Sequence, residues 1–228
     1  MRHRVAAFLL AVLFTSPRVG AQQAADLVKY LMPDRAAEIA LARSAAPKNV
    51  SDSATVLVLT RKGFVEATRG TNGFTCLVQH SFDSPLGAPG FWNPAIRAPL
   101  CVNAAASRTV LRDIMKRSEL IMAGVAPKEV IARTKAAYAS HELLKPAPGA
   151  MAYMLSPQQH LADTDPHWVP HVMFFFDTAV PGSSFGAGGS PATIIDLTGD
   201  DANEPYRVVL IPVRRWSDGK LAMPEGGH

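Results

Sequence analysis

Seven histidines and two cysteines carry most of the reactive chemistry available to this 228-residue chain. The densest grouping is Gln158 to His171, which holds His160, Asp163, Asp165, His167 and His171. All are metal-ligand types. His167 and His171 stand four apart, a spacing that on a helix puts two imidazoles on one side of a zinc ion. Trp168, Val169, Pro170 and the aromatic run beyond argue for extended chain instead. Along a strand, four residues at ~3.3 Å each separate the rings by ~13 Å, too far to share one metal. His160, Asp163 and His167 can still converge on a loop, but hydrogen-bonded histidines on a solvated loop are the commoner outcome. No bound metal is expected.

His80 and His171 each adjoin apolar, strand-like residues. A catalytic histidine needs a nucleophile within hydrogen-bond reach and a carboxylate to orient it. Ser81, Ser183, Ser184 and Asp83 offer the residue types, yet none stands in a G-x-S-x-G elbow. With Trp168 added, the pocket candidates are His80, His160, Asp163, His167, Trp168 and His171. The stretch 181–191, P-G-S-S-F-G-A-G-G-S-P, lacks the Gly-Lys-Ser/Thr ending of a phosphate loop. Asp196, Thr198, Asp200 and Asp201 have the look of a calcium loop, but that register puts Arg207 where a bidentate glutamate is required. Asp200, Asp201 and Glu204 read as a charged turn between two strands. No cofactor is expected.

The compartment constrains the cysteines. Arg2 and Arg4 precede the apolar run Val5 to Phe14, and small residues follow at Val19-Gly20-Ala21. That order predicts a secretory signal peptide over 1–21, cut to leave Gln22 first. The run is about ten residues against the ~20 that span a bilayer, so no stable membrane insertion is expected after cleavage. Arg2, Arg4 and Arg18 leave with it and no carboxylate does, so the formal charge of +4 falls to +1. A nucleic-acid partner loses its main support. In an oxidising compartment Cys76 and Cys101 are expected to pair. Their spacing is not C-x-x-C, which favours a structural bridge worth ~3.5 kcal/mol over a redox or nucleophilic thiol.

Elements must position these residues. Asn72-Gly73 is a strong local signal for a hairpin, with Phe64 to Thr68 leading in and Phe74 to His80 leading out. Thr55 to Leu59 suits a strand buried on both faces and, with that hairpin, predicts a three-stranded antiparallel meander. Cys76 then shares a face with Phe74 and Val78. Asp34 is placed to cap a helix beyond Pro33. The segment 82–102 is rich in proline and glycine and reads as a long loop. Ser107 is placed to cap a helix with Leu111, Ile114, Met115, Ser118 and Met122 on one stripe, stopped at Gly124. Pro127 opens another helix. Strands are expected at Met151–Leu155, Trp168–Phe176, Ala192–Leu197 and Tyr206–Val213, with Val172–Phe176 central. Pro212 marks the last of these as an edge strand or ends its pairing.

The runs N-G-F-T-C-L-V (Asn72–Val78), A-Y-M-L (Ala152–Leu155) and P-H-V-M-F (Pro170–Phe174) resemble an uncharacterised family of exported bacterial proteins. That family has no assigned activity, so the resemblance implies export and a single domain and carries over no catalytic residue. Strands, then helices, then strands predict one α+β domain over 22–228: an antiparallel sheet with helices packed on one face. The preferred expectation is a periplasmic or secreted binding or accessory protein without catalysis, its partner a small molecule or another protein. The alternative is a small hydrolase or metal-dependent enzyme using His80, His171 or the His160–His167 loop.

Overall fold

The computed structural model describes residues 26–83, 91–163, 168–187, 194–198 and 204–222. The signal-peptide segment, His167 and the Asp200-Asp201 pair lie outside the described residues.

The run T-V-L-V-L-T forms β1 (Thr55–Thr60), with its four middle residues buried. Such a strand needs partners on both edges and cover on both faces. It gains β2 (Gly63–Thr68) on one edge, antiparallel, and β3 (Thr75–Gln79) on the other, parallel. The expected Asn72-Gly73 hairpin and antiparallel meander are therefore corrected: β2 and β3 flank β1 and do not pair with each other. Burial outweighs the local turn signal. β3 is buried at four of its five positions, so it pairs inward, while β2 exposes Val65 and Glu66 and suits an edge. Asn72 instead ties the crossing down, its Oδ1 accepting from the Phe74 N–H at 3.0 Å and its amide donating to the Val50 carbonyl at 2.7 Å. Gly70 passes so close to the Ala54–Thr55 backbone that a Cβ there would collide with it.

Among the described residues, one sheet holds eight strands in the order β2-β1-β3-β4-β5-β6-β8-β7, antiparallel except for β1 with β3. β4 (Ala98–Val102) is buried throughout and paired with β3, which corrects the reading of 82–102 as loop to its end. Pro99 hid this strand. Arg97 turns its N–H away from β3, toward the His160 carbonyl at 2.9 Å, and alternate residues share that direction. The missing N–H of Pro99 therefore costs no bond between β3 and β4. β5 (Met151–Met154), β6 (His171–Phe176), β7 (Ile195–Asp196) and β8 (Arg207–Pro212) complete the sheet. β6 is internal, as expected, and β8 ends at Pro212 between two partners.

The α+β class and the largely antiparallel sheet follow the sequence reading, and the helices distribute over both faces. α1 (Arg35–Arg43), capped by Asp34 as expected, lies against β1, β3 and β4. Ala42, Ala45 and Ala46 pack there on Val56, Val78, Cys76 and Cys101. The two cysteines sit opposite each other in register and form a disulfide. A short helix, α2 (Lys48–Ser51), leads into β1. On the opposite face, the alternate positions Leu57, Leu59, Leu77 and Leu100 join the main core. α3 (Ala104–Arg108), α4 (Val110–Met122) and α5 (Pro127–Ala139) belong to that side. Asn103, not Ser107, caps the entry, accepting from the Ala106 N–H at 3.0 Å, and the helix breaks at Thr109 before α4 begins. The Ser107 hydroxyl donates to Thr75 Oγ1 at 3.2 Å instead.

Candidate functional site

The sheet register decides which candidates meet. Leu77 pairs with Leu100, and Met154 pairs with His171, in one row across β3, β4, β5 and β6. That row faces α4, and a cavity of about 290 Å³ lies between them. Its apolar wall includes Leu100, Val110, Ile114, Met154, Met173 and Phe175. Its polar members are His80, Asp83, His171, Glu204 and Tyr206, with Trp168 beside His171. Three of the six pocket candidates, His80, Trp168 and His171, thus share one space. β3 and β6 are three strand spacings apart and His80 stands beyond the row that holds His171, so the two backbones are separated by at least about 14 Å. They are two ends of a cavity and not a dyad.

His171 is 2 % exposed and points Nδ1 at the Val169 carbonyl, 2.8 Å away. A carbonyl only accepts, so Nδ1 carries the hydrogen and Nε2 keeps its lone pair. Burial lowers its pKa from the usual histidine value and keeps the ring neutral. The Trp168 ring lies 5.0 Å from it, and the buried Gln159 amide donates to the Trp168 carbonyl, fixing that approach.

His80 follows the last residue of β3 and is packed in aromatic rings. Phe64 and Phe82 stack near-parallel to it and Tyr30 meets it edge-on, at 6.4, 5.5 and 6.0 Å. Burial, then the Arg97 charge, pushes its pKa down to about 3. The Arg97 guanidinium stands 3.3 Å from Nδ1 and only donates, so Nδ1 accepts and Nε2 bears the hydrogen. That Nε2–H is buried without a partner.

Asp83 ends the short 3-10 turn Ser81–Asp83, and burial pushes its pKa up to about 7 despite hydrogen bonds that oppose the shift. Its Oδ2 accepts from the His80 backbone N–H at 3.0 Å. Ser118 Oγ lies 3.0 Å from Oδ1 and 2.8 Å from the Ile114 carbonyl, with one proton to give. The carbonyl takes the Ser118 proton, so Oδ1 is best satisfied when Asp83 keeps its own proton and donates it to Ser118. Beyond Ser118 lies a buried ion cluster. Arg117 is held by Asp113 Oδ2 at 3.1 Å and Glu204 Oε2 at 3.2 Å, and the Tyr206 hydroxyl donates to Asp113 at 3.4 Å. Glu204 is thus part of this cluster and corrects the reading of that segment as a simple charged turn. Burial raises the pKa of Asp113, opposed by Arg117. Asp113 Oδ1 and Glu204 Oε1 are buried without a hydrogen-bond partner among the described residues.

His160 and Asp163 do not line the cavity. They pair with each other at 3.0 Å, and Asn93 donates to Asp163 at 3.0 Å, so they fasten one loop to another. Hydrogen bonds from His160 and Asn93 lower the Asp163 pKa. Among the described residues, no three His, Cys, Asp or Glu side chains are gathered to hold one metal ion. The cavity's hydroxyls, Thr198 and Tyr206, are both engaged: the Val208 N–H donates to Thr198 at 2.7 Å, and Tyr206 is held by Asp113. The disulfide lies on the opposite face, its sulfurs fully buried. The chain matches no protein-family model, no curated protein and no solved structure. Asp113 and Arg117 escaped the sequence reading because they stand four apart on an otherwise amphipathic helix, where an ion pair ordinarily faces water. No helix among the described residues is long and apolar enough to cross a membrane.

Proposed function

We propose that this is an exported binding protein whose cavity takes one small molecule with an apolar body. The observation that carries this reading is the cavity of about 290 Å³, apolar on its sheet and helix walls, with unfilled hydrogen-bonding atoms on His80, His171 and Glu204. Apolar walls with a few convergent polar groups are the usual build of a small-molecule site. At ~30 Å³ per water-sized group, the volume suits a ligand of about ten non-hydrogen atoms. Export is supported by the basic, apolar, small-residue order of the first 21 residues and by the Cys76–Cys101 bond, since such bonds persist in oxidising compartments. The resemblance to an exported bacterial family agrees with it.

The hydrolase alternative has a base in His171 and a proton donor in Asp83, but they stand at opposite ends of the cavity and, among the described residues, no activated nucleophile lies between them. Binding is the better account of this wall. A thermal-shift screen of small apolar compounds against the purified protein tests it. A ligand at about 100 times its Kd adds ~2.7 kcal/mol of stability. Ala98, on the cavity floor, supplies the control: Ala98→Leu fills space there and should weaken every hit at least about tenfold. Hits that bind this variant unchanged, or a screen without hits, would overturn the reading.

A further inference from the structure

The ligand's charge can be read from the cluster behind the cavity wall. Two carboxylates, Asp113 and Glu204, share one guanidinium, Arg117, and their side chains are 1 %, 9 % and 2 % exposed. The count leaves one negative charge in excess. Neither cavity histidine offsets it, because each is held neutral by burial. Arg117 has its Nε within ion-pair distance of one carboxylate and its Nη2 hydrogen-bonded to the other, so its single charge is shared between the two. Glu204 lines the cavity, and its Oε1 is buried with no hydrogen-bond partner among the described residues. An unpaired carboxylate oxygen in such a place is costly unless a proton or a cation reaches it. A bound cation relieves the excess directly.

We propose that the cavity recognises a small organic cation, a primary or secondary amine on an apolar body, with its ammonium group at Glu204 Oε1. This rests on the cavity being a binding site and adds the ligand's class. An ammonium group brings two or three donors and no acceptor, matching the atom left open at that end of the cavity, Glu204 Oε1. The Phe175 and Tyr206 rings, which meet edge-on, line the same cavity and suit a cation better than an anion. An anionic ligand would meet the excess negative charge instead, with no lysine or arginine among the described residues of the wall to receive it.

Titration calorimetry with three ligands of one shape separates the possibilities: 2-phenylethylamine, 2-phenylethanol and 3-phenylpropionate, each against the purified protein. The amine should bind at least about tenfold tighter than the alcohol, and the carboxylate more weakly than both. Glu204→Gln, which keeps the side chain's shape, should bring the amine down to the alcohol's affinity and leave the alcohol unchanged. Equal affinity of amine and alcohol for the unaltered protein would overturn the cation assignment while leaving the cavity a binding site. Failure of all three to bind would overturn both. The comparison in the unaltered protein stands whether or not the variant folds.

Discussion

Replacing Asp83 by asparagine tests the account of the cavity's most perturbed carboxyl. Asparagine presents one acceptor oxygen to the His80 N–H and one donor to Ser118, the arrangement assigned above to the protonated acid. The variant should therefore match the parent below about pH 4, where Asp83 is protonated in the folded and unfolded chain alike, and gain on it as pH rises. Its folded pKa of about 7 lies above the ordinary aspartate value of 3.8, so the folded state holds this proton more tightly than the unfolded chain. The stabilisation is complete below the unfolded pKa and is lost as pH rises through about 7. Between about pH 5 and about pH 8 the parent crosses two units of that loss, or about 3 kcal/mol at ~1.4 kcal/mol per unit. Asp83→Asn is spared it. His80, lowered to about 3, and His171, also lowered, act in the opposite sense, their stabilisation present above the usual histidine pKa and lost on acidification. Both remain in both proteins and cancel in the difference. Urea denaturation of the two proteins across this range should show Asp83→Asn gaining about 3 kcal/mol over the parent. A difference that stays constant within about 0.5 kcal/mol would refute the protonated-acid assignment.

The disulfide and the ion cluster make separate predictions. The Cys76→Ala/Cys101→Ala double variant should lose ~2–4 kcal/mol and keep ligand affinity below its melt, because the bond lies on the face away from the cavity. Loss of binding without loss of stability would make the pair functional instead. Arg117→Met leaves two buried carboxylates without their cation and should cost roughly 3–5 kcal/mol by chemical denaturation. A cost under about 1 kcal/mol would mean that Asp113 and Glu204 do not depend on it.

Different parts of the site were legible in the sequence to different degrees. His80, Trp168 and His171 stood out because each is a polar or amphipathic side chain beside an apolar run, and all three line the cavity. The His160–Asp163 pair stood out by composition alone and turned out to bind itself. Asp83 offered a residue type, but nothing local marks a carboxyl that is to be buried under α4. Glu204 looked like part of a turn because its partner, Arg117, is 87 residues away along the chain.

Local chemistry determined what needs only neighbours in the chain. Asp34 caps α1, Gly124 ends α4 in the left-handed conformation, Pro127 opens α5, and alternation puts Cys76 on the face of Val78. Tertiary structure decided what depends on competition between distant partners. Asn72-Gly73 favours a hairpin, yet β3 is buried at four of its five positions while β2 exposes Val65 and Glu66, so β3 takes the inner place beside β1 and β2 the edge. Pro99 argues against a strand until the direction of its neighbours' N–H groups is known. The cavity and its charge belong to this second kind, because a row of residues on four strands and a helix placed over them exist only once the sheet has closed its register.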